Sequence, residues 1–314
     1  MESEAIMSDE GLSVLMTWKG EGDDARLFYS VSNDGASWRN QQPVEGVGSS
    51  HGPALAAVQG LPGFVSLYAV MVWKGIGDDA QIWWSGFTEP WTGQRPAGRG
   101  DLGTSNGPAL ATWEGRLVMA WKGMGDDPVI YWNTFDGSEW TGQDAIREGA
   151  FGTSDHPALA AIASQVIMAW KGKGDDPRLF WSIFDGHSWS DQQPAAGGAF
   201  GTSHGPALAL YQGRVYMAWK GKSDDPRLFW STLHEGAWSD QQPVAGGAFG
   251  TSHGPALAIV QGRLIMAWKG KGDDPRLFCS LFNGQSWSNQ EAVAGGAFGT
   301  SHGPALVSVR FFNL

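Results

Sequence analysis

Four kinds of polar side chain recur in one order along this chain: a lysine, a pair of aspartates, an arginine and, further on, a histidine beside a small residue. The segment KGKGDDPR contributes Lys171, Asp175, Asp176 and Arg178. The set returns as Lys220, Asp224, Asp225 and Arg227, as Lys269, Asp273, Asp274 and Arg276, and earlier as Lys19, Asp23, Asp24 and Arg26. A partial copy keeps Asp126 and Asp127 but has Val129 where the others have arginine, and another has Gln81 there. The connecting segments add His51, His156, His204, His253 and His302. Carboxylates accept pairs of hydrogen bonds, whereas arginine and histidine donate them. With an aromatic edge nearby, such a set suits a sugar's vicinal hydroxyls and apolar ring face. Each residue also has a structural reading. An aspartate after glycine in a hairpin loop bonds its own backbone, a surface pair such as Asp175 with Arg178 contributes little, and a histidine can be satisfied by backbone. Repeats copy structural residues as faithfully as functional ones, so recurrence alone does not choose.

Catalysis would call for a break in this regularity. A single active site should interrupt the repeat with unique acid, base or nucleophile, yet the departures, Gln81 and Val129, are losses of arginine. The insertion LPGFVSLYA at 61–69 is apolar and carries no acid–base group. No nucleophile–acid pair can be assembled, so no catalytic residue is assigned. Asp-Asp with His could hold a cation, but no recognised ligand loop is present, and neither metal nor cofactor is expected.

The elements that position these residues follow from an internal repeat. MAWKG recurs at Trp121, Trp170, Trp219 and Trp268, each 49 residues from the last, with variants at Trp18 and Trp73. Each unit reads as four strands, for example ALALY, VYMAW, RLFWSTL and a last one around AWSDQQPV. They are short, rich in aromatic and β-branched residues, and bounded by Gly, Pro, Asp and Ser. No helical period is sustained. The expected architecture is an all-β, six-bladed β-propeller of four-stranded antiparallel blades. The chain starts in mid-unit and ends on a lone first strand, HGPALVSVRFFNL, so the C-terminal strand should complete the N-terminal blade and close the ring. The blades then fall at about 12–43 with 304–314, 53–96, 108–145, 157–195, 206–244 and 255–293, in one domain. Antiparallel strands place the KGKGDDPR loops and the GGAFGTSHGP connections together on one face of the disc, the loop face. Most of the 18 tryptophans should fill the wedges between blades, with about a third partly exposed near the rim.

The formal net charge of -11 weighs against nucleic acid as partner. No apolar run is long enough for a spanning helix, so no membrane insertion is expected. The single Cys279 has no internal disulfide partner. The opening MESEAIMSDEG shows no Sec-type signal, which points to the cytoplasm or a non-classical export route. The oligomeric state is left open by the sequence, and a monomer satisfies it.

Two features carry a family resemblance. SNDGASW at Ser32–Trp38, with FDGHSW and FDGSEW later, resembles the Asp-box turn (S-x-D-x-G-x-x-W) of sialidase-like propellers, one residue shorter. Tandem Trp-rich units of this length over the whole chain look like bacterial and fungal propeller lectins: the fucose-binding six-bladed type, the Photorhabdus type and the tectonins. The resemblance implies a multivalent carbohydrate-binding protein, a hemagglutinin-like lectin with glycans or glycoconjugates as partners. No family sugar-binding motif matches residue by residue. The alternatives are a protein-interaction scaffold and, behind it, a sialidase-like glycosidase.

Overall fold

The second strand of each unit is apolar without alternation because both faces of its sheet are covered by neighbouring blades. In blade four, Gln165–Lys171 is buried from Val166 onward. It pairs with Ala158–Ile162 on one side and Leu179–Phe184 on the other, and Leu179–Phe184 pairs outward with Gln193–Pro194. This antiparallel order recurs in six sheets, making a six-bladed β-propeller. The computed structural model describes residues 11–59, 61–64 and 66–311. The first ten residues, on which the expectation about a signal segment falls, lie outside them, as do 312–314 at the end of the expected last strand and Val65 of the 61–69 insertion.

Closure takes the expected route. Ala305–Val309 is the inner strand of blade one and pairs antiparallel with Ser13–Lys19, Thr17 opposite Ala305 and Ser13 opposite Val309. The inner strands also touch one another in sequence around the axis, so Ala305–Val309 joins Ala256–Val260 to Ala54–Ala57.

Outside blade one, whose fourth strand runs Gln42–Gly48, the fourth strands are shorter than the sequence leads one to expect. The segment around AWSDQQPV gives only fragments, in blade four Gln193–Pro194 and a single bridge from Phe184 to Trp189. Proline cannot donate to a ladder and sits at sheet edges. The chain then leaves through a tight turn, Ala195–Gly198, in which Ala196 and Gly197 have positive φ. Turns of this kind, and no longer helix, are the helical geometry among the described residues.

Packing is divided among six clusters, one at each blade junction, and each holds one WKG tryptophan with no exposed surface. Trp219 lies between Phe200 of the incoming connection, 4.8 Å away, and Phe229 of its own blade at 6.1 Å, both nearly parallel. Trp38, Trp83, Trp91, Trp132, Trp230 and Trp287 are half-buried and the other tryptophans are buried, which is the expected third. The inner strands line an axial channel of about 380 Å³ with a ring of leucines: Leu55, Leu110, Leu159, Leu208, Leu257 and Leu306.

Candidate functional site

The lysine at the end of each second strand is buried, and a buried ammonium must be fully hydrogen-bonded. Lys171 Nζ donates to Ser154 Oγ (2.7 Å) and to the carbonyls of Gly174 (2.9 Å), Asp176 (3.2 Å) and Gly172 (3.3 Å). Lys19, Lys220 and Lys269 reach Ser301, Ser203 and Ser252 in the same way, at 2.9, 2.8 and 3.0 Å. Burial pulls these ammonium groups below their ordinary pKa, against the opposing pull of nearby aspartates. Their donors are turned inward. Each lysine closes its own loop and ties it to the connection arriving from the preceding blade.

The second aspartate of each pair holds the arginine two residues on. Asp176 Oδ1 accepts from Arg178 N at 3.0 Å, and Arg178 Nη2 donates to Asp176 Oδ2 at 2.7 Å. Asp24 with Arg26, Asp225 with Arg227 and Asp274 with Arg276 repeat the fork. The arginine side-chain bond holds each of these carboxyls below the usual range. The Arg178 guanidinium also lies 5.1 Å from the Phe180 ring centroid while 53% of its side chain stays exposed. In blades two and three aromatic donors take over: Asp79 accepts from Trp83 Nε1 and Asp127 from Tyr131 Oη, each at 3.0 Å. The first aspartates, Asp23, Asp126, Asp175, Asp224 and Asp273, are exposed.

At the junction of blades four and five these groups border a cleft of about 250 Å³. Arg178, Lys222, Asp225, Arg227 and Gln241 line it, with Phe200 and Phe229 behind. The residue types recur 49 positions on as Arg227, Lys271, Asp274, Arg276 and Gln290 around Phe249 and Phe278. Arg178, Arg227 and Arg276 each bridge to a glycine of the next connection, Gly201, Gly250 and Gly299, so the junctions share their backbone frame.

The histidines stand apart from this rim. His51, His204, His253 and His302 line a bowl of about 260 Å³ at the mouth of the axial channel, with Asn106, Asp155 and His156. Neighbouring rings are 5.2–5.5 Å apart, from His204 through His253 and His302 to His51. Each accepts a role set by the preceding serine: Nδ1 lies 3.1–3.2 Å from Ser50, Ser203, Ser252 or Ser301 Oγ. Burial is the main cause that lowers their pKa, to about 4 for His51 and His253 and about 3 for His302, so they are neutral at pH 7. Blade four differs. Asp155 takes the histidine position and His156 the glycine position, with Nδ1 2.9 Å from Asp155 Oδ1. Burial opposes both charges, but the pairing outweighs it: the Asp155 carboxyl is held well below the carboxylate range and His156 is raised. Glycine is required at the equivalent sites, since a Cβ on Gly254 or Gly303 would meet the carbonyl oxygen of the preceding blade's glycine at 2.5 Å.

The sequence set therefore separates by radius: Asp–Arg forks at the rim, histidines at the axis, lysines locked between. Sequence reasoning passed over Phe200, Phe249 and Phe298, although each is the only large apolar residue in a Gly-rich connection. It also passed over Lys222 and Lys271, exposed beside the arginines. Among the described residues no group of three or more His, Cys, Asp and Glu side chains has metal-ligand geometry.

No protein-family model and no curated protein matches the chain. Solved structures do. A mutant of the fucose-specific lectin of Aleuria aurantia, in complex with α-methyl-L-fucoside, superposes with a TM-score of 0.62 at 11% identity, over 91% of this chain and 96% of that one. AofleA of Arthrobotrys oligospora gives 0.61 at 9% identity, over 98% and 93%. The SapL1 lectin, also in complex with α-methyl fucoside, gives 0.56 at 11%, over 90% and 97%. The fold is the one these proteins share, as the resemblance to six-bladed fungal propellers implies.

Proposed function

We propose that this chain is a non-catalytic carbohydrate-binding propeller with repeated shallow sites at the blade junctions of the loop face. The observation that carries this reading is the cleft between blades four and five. Arg178, Lys222, Arg227 and Gln241 offer donors and Asp225 and Gln241 acceptors, beside the Phe200 and Phe229 rings. A small polar ligand with an apolar face is matched by that combination. The same residue types at the next junction support more than one site, and the likeness in fold to proteins named as fucose-binding lectins supports the ligand class. Lys19, Lys171, Lys220 and Lys269 are left out of the contact set because their donors are consumed inside the loops.

One observation favours the protein-interaction alternative at a different sector. Ile76 and Met124 occupy the positions of Lys222 in blades two and three and are 56% and 57% exposed. Ile76 borders an apolar cleft with Val44 and Val47. A glycan array on the purified protein separates the readings. Saturable glycan binding that Arg178→Ala with Arg227→Ala weakens supports the junction sites, and binding to no glycan supports the scaffold.

A further inference from the structure

The hydrogen bonds behind the axial bowl determine which imidazole nitrogen carries the proton. Ser203 Oγ accepts from Lys220 Nζ at 2.8 Å and gives its only hydrogen to the Gly221 carbonyl at 3.1 Å. With that hydrogen assigned to the carbonyl, the shorter of the hydroxyl's two contacts, His204 Nδ1 at 3.2 Å is the donor to Ser203 Oγ. Ser252 and Ser301 are committed in the same way, to Lys269 and Gly270 and to Lys19 and Gly20. So is Ser50, to Lys74 and Gly75. All four neutral imidazoles therefore carry the proton on Nδ1 and a lone pair on Nε2, and those Nε2 atoms have no partner among the described residues. The other arc of the bowl has the opposite character. Asn106 Oδ1 accepts from Gly107 N at 2.7 Å, which leaves its amide hydrogens free. His156 Nδ1 lies 2.9 Å from Asp155 Oδ1, a pairing that raises the imidazole's pKa, and its charged form presents Nε2–H as a donor.

We propose that this bowl is a separate ligand site on the propeller axis that takes one neutral polyol: a single sugar ring or a short alditol. Its hydroxyls donate to the lone pairs of His51, His204, His253 and His302 and accept from Asn106 and His156. A cation is disfavoured by the surrounding lysine ammonium groups, and the Asp155 carboxylate that also lines the bowl is already paired with His156. An anion is disfavoured because four of the six positions present lone pairs. Hydroxyls alone serve both arcs. The volume, about 260 Å³, falls under the roughly 300 Å³ lower bound for drug-sized ligands. The inference goes beyond the junction sites and does not depend on them.

The test is long-range proton–nitrogen NMR of the histidine side chains, with α-methyl-L-fucoside, α-methyl-D-mannoside and sorbitol as probes. The site predicts four imidazoles in the Nδ1–H form whose Nε2 resonances move saturably with at least one probe. They should move equally in a variant carrying Arg178→Ala, Arg227→Ala and Arg276→Ala. The pair Asp155→His and His156→Gly rewrites blade four to the sequence of blades five and six, so it should fold, and it should weaken the effect about tenfold. An Nε2–H tautomer, no histidine shift with any probe up to its solubility limit, or shifts that vanish with the rim arginines would overturn the proposal. Failure of the junction reading looks different: the arginine variant would retain its full glycan-array signal.

Discussion

Lys220 Nζ donates to Ser203 Oγ over 2.8 Å, a bond that joins the end of a strand in blade five to the connection leaving blade four. The same ammonium reaches the carbonyls of Gly221 and Ser223. Lys220→Met keeps the stem but leaves the Ser223 carbonyl without its donor and the Ser203 hydroxyl without its ammonium partner. Stability should fall by about 2–3 kcal/mol, read as a lower urea midpoint, while glycan binding at other junctions persists. Unchanged stability with binding lost would mean that the ammonium faces ligand.

Ring closure rests on Ala305–Val309 against Ser13–Lys19. Removing residues 304–314 exposes a sheet edge on blade one and uncovers the cluster around Leu15 and Trp73. The truncated chain should aggregate or lose its single cooperative melting transition. A melt identical to that of the full chain would show that closure lies elsewhere.

The axial histidines give a pH dependence with a definite sign. Their folded pKa values, about 4 for His51 and His253 and about 3 for His302, lie below the unfolded value of about 6.5. The unfolded chain thus binds more protons between those limits. Stability from this ring is complete above about pH 6.5 and is lost as pH falls toward 4 and 3. Asp34, at about 2, is destabilised only at lower pH. His156 runs the other way, being raised by Asp155. Urea unfolding at pH 7 and pH 4.5 should differ by at least about 2 kcal/mol after allowance for solvent screening, and His253→Asn with His302→Asn should reduce that difference. Equal midpoints at the two pH values would contradict neutral, partly buried imidazoles.

Asp185 closes a turn on the opposite face, accepting from His187 N and Ser188 N at 2.8 Å each. Asp34 does the same for Ala36 and Ser37. Asp185→Ala should lower the urea midpoint only slightly and leave every glycan affinity as it was. Binding lost in this variant, with the loop-face variants normal, would put the sites on the other side of the disc.

The repeat made the six blades legible, because the MAWKG strands and Gly turns are local signals. The unmatched half-units at the two ends made closure legible for the same reason. The radial position of the polar residues was not legible. Arg178 and His204 sit on loops of one face, and sequence distance does not say that one loop stays at the rim while the other crosses to the axis. The lysine role had a faint signal: each follows a fully apolar strand with no break, as a buried ammonium does. The fourth strands were over-read: Gln193–Pro194 and the proline-free Asp144–Ala145 and Glu291–Ala292 stop alike after two residues, where the chain leaves the sheet through a tight turn.

Junction binding makes the most direct claim of all, and isothermal calorimetry with the monovalent form of the best array glycan measures it. The account predicts more than one weak site per chain, about three to six that need not be equivalent, enough for avidity on a multivalent surface. It also predicts a count reduced by Arg178→Ala, Arg227→Ala and Arg276→Ala together, with the melting temperature held. A stoichiometry of one site per chain, or a count that the three substitutions leave unchanged, would contradict it.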